Sequence, residues 1–187
     1  MTTVGGGEEE LGKYLTGTVV SLNVSNGGVP KRPVTVARVS RSGLQNDAQN
    51  DQKHHGGPEK AVCLYSLERI KGLQAEGHPI RIGTAGENVT VAGLDWDLVV
   101  PGSRVRLGER VLLEVASFTN PCRTIKDSFI EGRFGRISQN RHAGWSRVYA
   151  RVLSEGEIRV GDAVELTAPA GSTPGSAPSQ NGPTFEQ

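Results

Sequence analysis

At 187 residues the chain is long enough for one domain with its own core. Its 21 basic and 20 acidic residues leave a formal net charge of +1, so no global field recruits nucleic acid or a membrane surface. No apolar run approaches the ~18 residues of a membrane span.

The N-terminal MTTVGGGEEE has neither the basic patch nor the apolar core of a secretion signal, so a reducing cytoplasm is the expected compartment. Residues 1–13 have almost nothing to bury and are expected to be disordered ahead of a single domain over 14–167. GTVVSLNVS (17–25) and PVTVARVS (33–40) are β-branched runs bounded by Gly and Pro, and read as strands. AVCLY (61–65) is a further short apolar run. In SLERIKGLQAEG (66–77), Ser66 caps a helix whose Leu67, Ile70 and Leu73 share one face before Gly77 ends it. PIRIG (79–83) and ENVTVAGL (87–94) read as strands. RVRLGERVLLEVAS (104–117) reads as a hairpin turning at Gly108-Glu109. Residues 126–140 hold at most a short helical turn, because Gly132 and Gly135 interrupt it. VYARVL (148–153), EIRVGD and AVELT supply the last strands, and the Pro/Gly/Ser-rich residues 168–187 are expected to be a disordered tail. Many short strands with short connections predict a mainly β fold, a closed or nearly closed antiparallel barrel with a few short helices.

The two cysteines differ in setting. Cys63, inside AVCLY, reads as a small buried hydrophobe. Cys122 follows Pro121, which cannot donate to a sheet ladder, so it is expected in a loop at a barrel mouth. Arg123 and Lys126 would favour its thiolate. From these neighbours alone, Cys122 is either packing or a working nucleophile or ligand. A disulfide between the two is not expected in the cytosol. Zinc is not expected either, since His54, His55, His78 and His142 lack the close four-ligand spacing of a structural site.

Three other features accompany Cys122. In DQKHHGGPEKAV (51–62), Gly56-Gly57-Pro58 form a tight loop with Lys60 at the entry of a strand. In GTAGENVTVAGL (83–94), Glu87 and Asn88 put an acid and an amide at a strand start. From Arg123 to Arg159 eight basic residues (Arg123, Lys126, Arg133, Arg136, Arg141, Arg147, Arg151, Arg159) face four acidic ones (Asp127, Glu131, Glu155, Glu157). That excess is either a solvated surface or a seat for an anion.

HGGPEKAV (55–62), GENVTVAGL (86–94), NPC (120–122) and VYARVLSEGEIRVGDAV (148–164), in this order, resemble the MOSC family, named for the C-terminal domain of molybdenum cofactor sulfurase. The resemblance covers about residues 16–167. It implies a β-barrel that binds a molybdopterin-type molybdenum cofactor with Cys122 as the metal's protein ligand. It also implies reduction of N-hydroxylated compounds (hydroxylamines, amidoximes) to amines, with electrons from a separate flavin, haem or iron–sulfur protein. Motif position and charge put His55, Lys60, Glu87, Asn88, Thr90, Thr119, Asn120 and Arg123 near that cofactor. Thr119 and Asn120 would support the metal's oxygen ligands, and Lys60 and Arg123 its phosphate. A soft thiolate suits molybdenum.

Some bacterial relatives carry a C-terminal helical extension where residues 168–187 are here expected to be disordered, and the separate N-terminal β-barrel of mitochondrial relatives is not expected in this sequence. It has no Cys-rich cluster motif and no Gly-rich dinucleotide fingerprint, so the reductase reading requires an external electron donor. Other readings stay open: a sulfur carrier using a Cys122 persulfide, a metal-free cysteine-dependent enzyme cleaving C–S bonds with His55 or His142 as partner (His55 preferred for its motif), or an interaction module. No nucleic-acid or membrane partner is expected, and the sequence leaves monomer or homodimer undecided.

Overall fold

Alternation of β-branched and charged residues, broken by glycine and proline, builds nearly all of the regular structure. The computed structural model describes residues 15–48 and 57–169. His54 and His55, and nearly all of both ends expected to be disordered, lie outside the described residues. The strands are β1 (Thr16–Val24), β2 (Arg32–Val34), β3 (Val36–Ser40), β4 (Gly43–Leu44), β5 (Val62–Ser66), β6 (Val89–Ala92), β7 (Arg104–Leu107), β8 (Val111–Phe118), β9 (Val148–Ser154), β10 (Gly156–Arg159) and β11 (Ala163–Thr167). Helix α1 (Leu67–Ala75) follows β5, with the Ser66 hydroxyl accepting from the Arg69 amide at 3.2 Å and Ile70 and Leu73 buried. Short 3-10 turns are η1 (Pro58–Lys60), η2 (Trp96–Leu98), η3 (Arg123–Ser128), η4 (Ile130–Gly132) and η5 (Phe134–Ile137).

The main sheet runs β11-β7-β8-β9-β5-β6-β1, and β1 pairs back onto β11 to close a barrel, with β2 appended to β1. A second sheet, β10-β3-β4, lies beside it. The barrel is antiparallel except where β5 and β6 run parallel, Leu64 opposite Val89. That pairing exists because α1 and the loop after it carry the chain back across the barrel, as a parallel connection requires. The expected hairpin is present, with Leu107 opposite Val111 and Val105 opposite Leu113.

Two expectations are corrected. Residues 79–83 form a turn and not a strand: the Arg81 amide donates to Thr84 Oγ1 at 2.9 Å, and Gly83 takes a φ of 82°. The run's apolar content is still used, since Ile80 is buried from the loop. The run 33–40 divides into β2 and β3, which belong to different sheets, because the Thr35 carbonyl between them receives the Val160 amide.

Val105, Leu107, Val111, Leu113 and Val115, with Val148, Ala150 and Val152, fill the lumen and are essentially inaccessible to solvent. Arg104, Glu114 and Arg151 alternate with them on the outer face and pair there, at 3.1 Å and 2.9 Å. Truncating one of these lumen leucines to alanine removes about 2–5 kcal/mol of stability.

Candidate functional site

Strand β5 is buried along all of its residues, so its outer face is covered as well as its inner one. Val62 and Leu64 point into the lumen opposite Ala150 and Val148, which turns Cys63 outward, opposite Tyr149. On that outer face, where β8 ends and β9 begins, lies a cavity of about 360 Å³. Its walls include Cys63, Cys122, Lys31, Lys60, Asn88 and Arg147, with Tyr149 and the η3 residues Thr124 and Ile125. The site therefore flanks the barrel, and the apolar lumen plays no part in lining it.

Cys122 leaves the sheet as the Pro121 argument requires. It has extended dihedrals (φ −131°, ψ 173°), stands at the start of η3, and its carbonyl accepts from the Ile125 amide at 3.2 Å. It is half-buried, while Cys63 is only 3% exposed, and neither forms a disulfide. Burial pushes the Cys63 pKa up to about 11 against an opposing pull from Arg147, so Cys63 is a neutral thiol at physiological pH. The reading of Cys63 as inert packing is thus incomplete: it is buried, yet it lines the same cavity as Cys122.

Asn88 locks the floor. Its Oδ1 accepts from the Cys63 amide at 3.0 Å and its own amide donates to the Cys63 carbonyl at 2.8 Å. Its Nδ2 donates to Asp47 Oδ2 at 2.7 Å and, more weakly, to the Asn23 carbonyl at 3.3 Å. Asp47 in turn binds Lys31 Nζ at 2.5 Å, and both side chains are nearly buried. Removing one member of so buried a pair costs about 3–5 kcal/mol.

Arg147 supplies the fixed positive charge. It is 6% exposed, its Nη1 donates to the Ala85 carbonyl, and its Nε is buried without a partner. Its backbone is held by three successive anchors. Tyr65 Oη donates to the carbonyl of Trp145 at 2.9 Å, Trp96 Nε1 to that of Ser146 at 2.8 Å, and the Thr119 amide to that of Arg147 at 3.0 Å. Gly86 keeps the wall close: a Cβ there would meet Val29 Cγ1 at 3.1 Å and Arg147 Nη1 at 3.6 Å, and its φ of 86° disfavours any side chain. Lys60 lies 5.8 Å from the Tyr149 ring centroid. With Lys31, Lys60 and Arg147 against Asp47, the walls carry a surplus of positive charge that suits an anion.

Of the residues named from sequence, Lys60, Asn88 and Cys122 line the cavity. Glu87, Thr90 and Thr119 are buried behind it. Glu87 Oε1 accepts from the Gly83 amide at 2.6 Å and from Thr90 Oγ1 at 3.3 Å, while Oε2 has no partner. Burial raises the Glu87 pKa, and those hydrogen bonds together with Arg147 oppose the rise without cancelling it. Asn120 and Arg123 are exposed and are not among the lining residues. Sequence reasoning missed Arg147 as a site residue, as well as Lys31 and Asp47. The signal for Arg147 was its parity: it extends the outward-facing set of Tyr149 and Arg151 by one step of two.

Residues 51–165 match the MOSC domain family. The protein YflK of Bacillus subtilis (strain 168), itself uncharacterised, is 35% identical over 141 residues, which cover 74% of this chain and 62% of YflK. A protein of Gibberella moniliformis (strain M3125 / FGSC 7600) named Reductase is 32% identical over 132 residues, 68% of this chain but 23% of that protein. The chain thus spans less than two thirds of the length of these curated relatives. The crystal structure of YiiM from Geobacillus stearothermophilus superposes with a TM-score of 0.62 at 27% identity, covering 81% of this chain and 75% of YiiM.

Proposed function

Because this chain belongs to the MOSC domain family, we propose that it binds a molybdopterin-type molybdenum cofactor in the Cys122 cavity and reduces N-hydroxylated substrates. The observation that carries this reading is a half-buried cysteine outside any disulfide, Cys122, lining a cavity walled by Lys31, Lys60 and Arg147. Among the described residues no three His, Cys, Asp or Glu side chains cluster to hold a metal. A single soft thiolate therefore fits a metal that arrives with its other donor atoms on an organic group. The unpartnered Arg147 Nε, with Lys60, fits the phosphate of such a group. That one relative is named a reductase agrees with this reading.

When bound, the cofactor supplies two-electron reduction; the polypeptide supplies binding, orientation and electrostatics. Cys122 would hold the metal, and Arg147 and Lys60 would hold the anionic end. Asn88 fixes the cavity floor by clamping the Cys63 backbone. Thr119 acts through the Arg147 backbone. The overall conversion takes two electrons and two protons and yields an amine and water, and the electrons come from a separate carrier protein.

The test is elemental analysis of protein made in a host that produces the cofactor, with mass spectrometry of Cys122. About one molybdenum per chain is expected in the wild type and almost none in Cys122→Ser. Equally empty proteins refute the reading. A second reading, sulfur carriage on Cys122, is favoured by the second free thiol, Cys63, in the same cavity. An added sulfur atom on Cys122 without molybdenum would decide for it.

A further inference from the structure

The cationic excess after Cys122 is only partly used by the cavity. Thr124 and Ile125 of η3 face the cavity, whereas Arg123 and Lys126 on the same turn are exposed. Beyond them, Arg133, Arg136, Arg141 and His142 line a separate cleft of about 480 Å³ together with Glu76, His78 and Ile130. Residues 123–142 hold five Lys and Arg (Arg123, Lys126, Arg133, Arg136, Arg141) against Asp127 and Glu131, a local net charge of +3. Since the whole chain carries +1, the remainder carries −2. The positive excess lies in the segment that follows Cys122 in sequence, and three of its arginines, Arg133, Arg136 and Arg141, share the one cleft.

That face is anchored. Arg136 lies 3.8 Å from the Trp145 ring centroid and donates to both Glu76 carboxylate oxygens, at 2.8 Å and 2.6 Å. Arg69 approaches the same ring at 5.2 Å. Amid the charges Ile130 is 37% exposed, and its amide is held by His78 Nδ1 at 3.1 Å. An apolar spot ringed by arginines is the composition of a protein-docking patch. A small phosphate ligand is the weaker fit, because the one fixed guanidinium already binds Glu76 bidentately. The Arg133 guanidinium, 67% exposed, pairs with the equally exposed Glu131 at 2.7 Å, a contact that solvent screens and a partner can replace.

We propose that this face is where an acidic electron-carrier protein docks. The inference rests on the reductase reading and names the partner's chemistry and landing place. Docking there lets the carrier supply the two electrons that the N-hydroxylated substrate consumes, both from one fully reduced flavin protein or one each from two successive iron–sulfur or haem proteins; each carrier leaves oxidised, and the protons come from solvent. Complementary charge speeds such encounters and makes them depend on salt.

The experiment titrates the full chain, by calorimetry, with an acidic flavodoxin, an acidic plant-type ferredoxin and an acidic b-type haem protein. At least one should bind at about 0.01 M ionic strength and weaken about tenfold or more at about 0.15 M. The double variant Arg133→Glu/Arg141→Glu should weaken that binding by about a further tenfold at low salt. Arg106→Glu, which lies in a different groove, should not. With reduced methyl viologen as a small donor, all three proteins should turn over alike. Failure of every carrier to bind, an equal effect of Arg106→Glu, or equal loss with methyl viologen overturns the docking face. Binding of AMP that the double variant abolishes, with no carrier bound, reassigns the cleft to a small phosphate ligand. Intact carrier binding by a chain that never takes up molybdenum overturns the reductase reading and leaves the docking face standing.

Discussion

Asn88 offers the most direct test of how the cavity is held. Asn88→Asp keeps the acceptor for the Cys63 amide but replaces the group that donates to Asp47 at 2.7 Å with a second carboxylate. A hydrogen bond to a charged group contributes about 1.5–3 kcal/mol, and leaving it unmade forfeits that. Two like charges about 4 Å apart at an effective dielectric of about 20 repel by about 4 kcal/mol. Lys31, bound to the same Asp47, offsets part of that repulsion, so a deficit of about 4–6 kcal/mol is expected at pH near 8. Asn88→Ala removes the acceptor and the donor without adding charge and should cost about 2–4 kcal/mol at any pH. The new aspartate, facing Asp47, has a folded pKa above its ordinary value. The repulsive part of its deficit is therefore absent where it is protonated in both states, and it grows as pH rises through that raised value. Urea unfolding followed by the fluorescence of Trp96 and Trp145 at about pH 5 and about pH 8 measures both variants. An Asn88→Asp deficit that does not change with pH, or that stays below that of Asn88→Ala at the higher pH, refutes the arrangement.

Two further outcomes are expected. Iodoacetamide on the folded chain should modify Cys122 well before Cys63, since burial raises the Cys63 pKa from 9.0 to about 11 and cuts its thiolate about a hundredfold; peptide mass mapping that shows equal rates would contradict this. Glu87, with its raised pKa, contributes stability that is complete below the ordinary glutamate range and declines as pH rises through the raised value. Glu87→Gln should therefore match or exceed the wild-type Tm at neutral and alkaline pH, with a flatter profile, and a lower Tm throughout would contradict the assignment.

The strands were legible because each carries its pattern within a few residues. Val105, Leu107, Val111 and Leu113 need nothing but their own alternation to specify a hairpin. Closure of the barrel followed from counting such units. The turn at 79–83 was not legible, since Ile80 and Ile82 imitate a strand and only the Thr84 and Glu87 side chains, reaching back to the Arg81 and Gly83 amides, bend the chain. Cys122 stood out through its proline. Arg147 did not, because its meaning comes from Tyr65, Trp96 and Thr119, which are far away in sequence. Arg123 drew attention as the neighbour of a cysteine, yet the helical turn it starts points it to solvent. Local chemistry can be read from adjacent letters, whereas a buried charge is defined by contacts that adjacency does not show.

The flank position of the cavity has a practical consequence for anyone redesigning the molecule. From Arg147 into β9 the residues that fill the interior and those that line the cavity occupy alternate places and never exchange duties. Repacking Val148, Ala150 and Val152 for heat resistance should leave the chemistry of Arg147 and Tyr149 in place, so durability and specificity can be tuned on the same strand as separate controls.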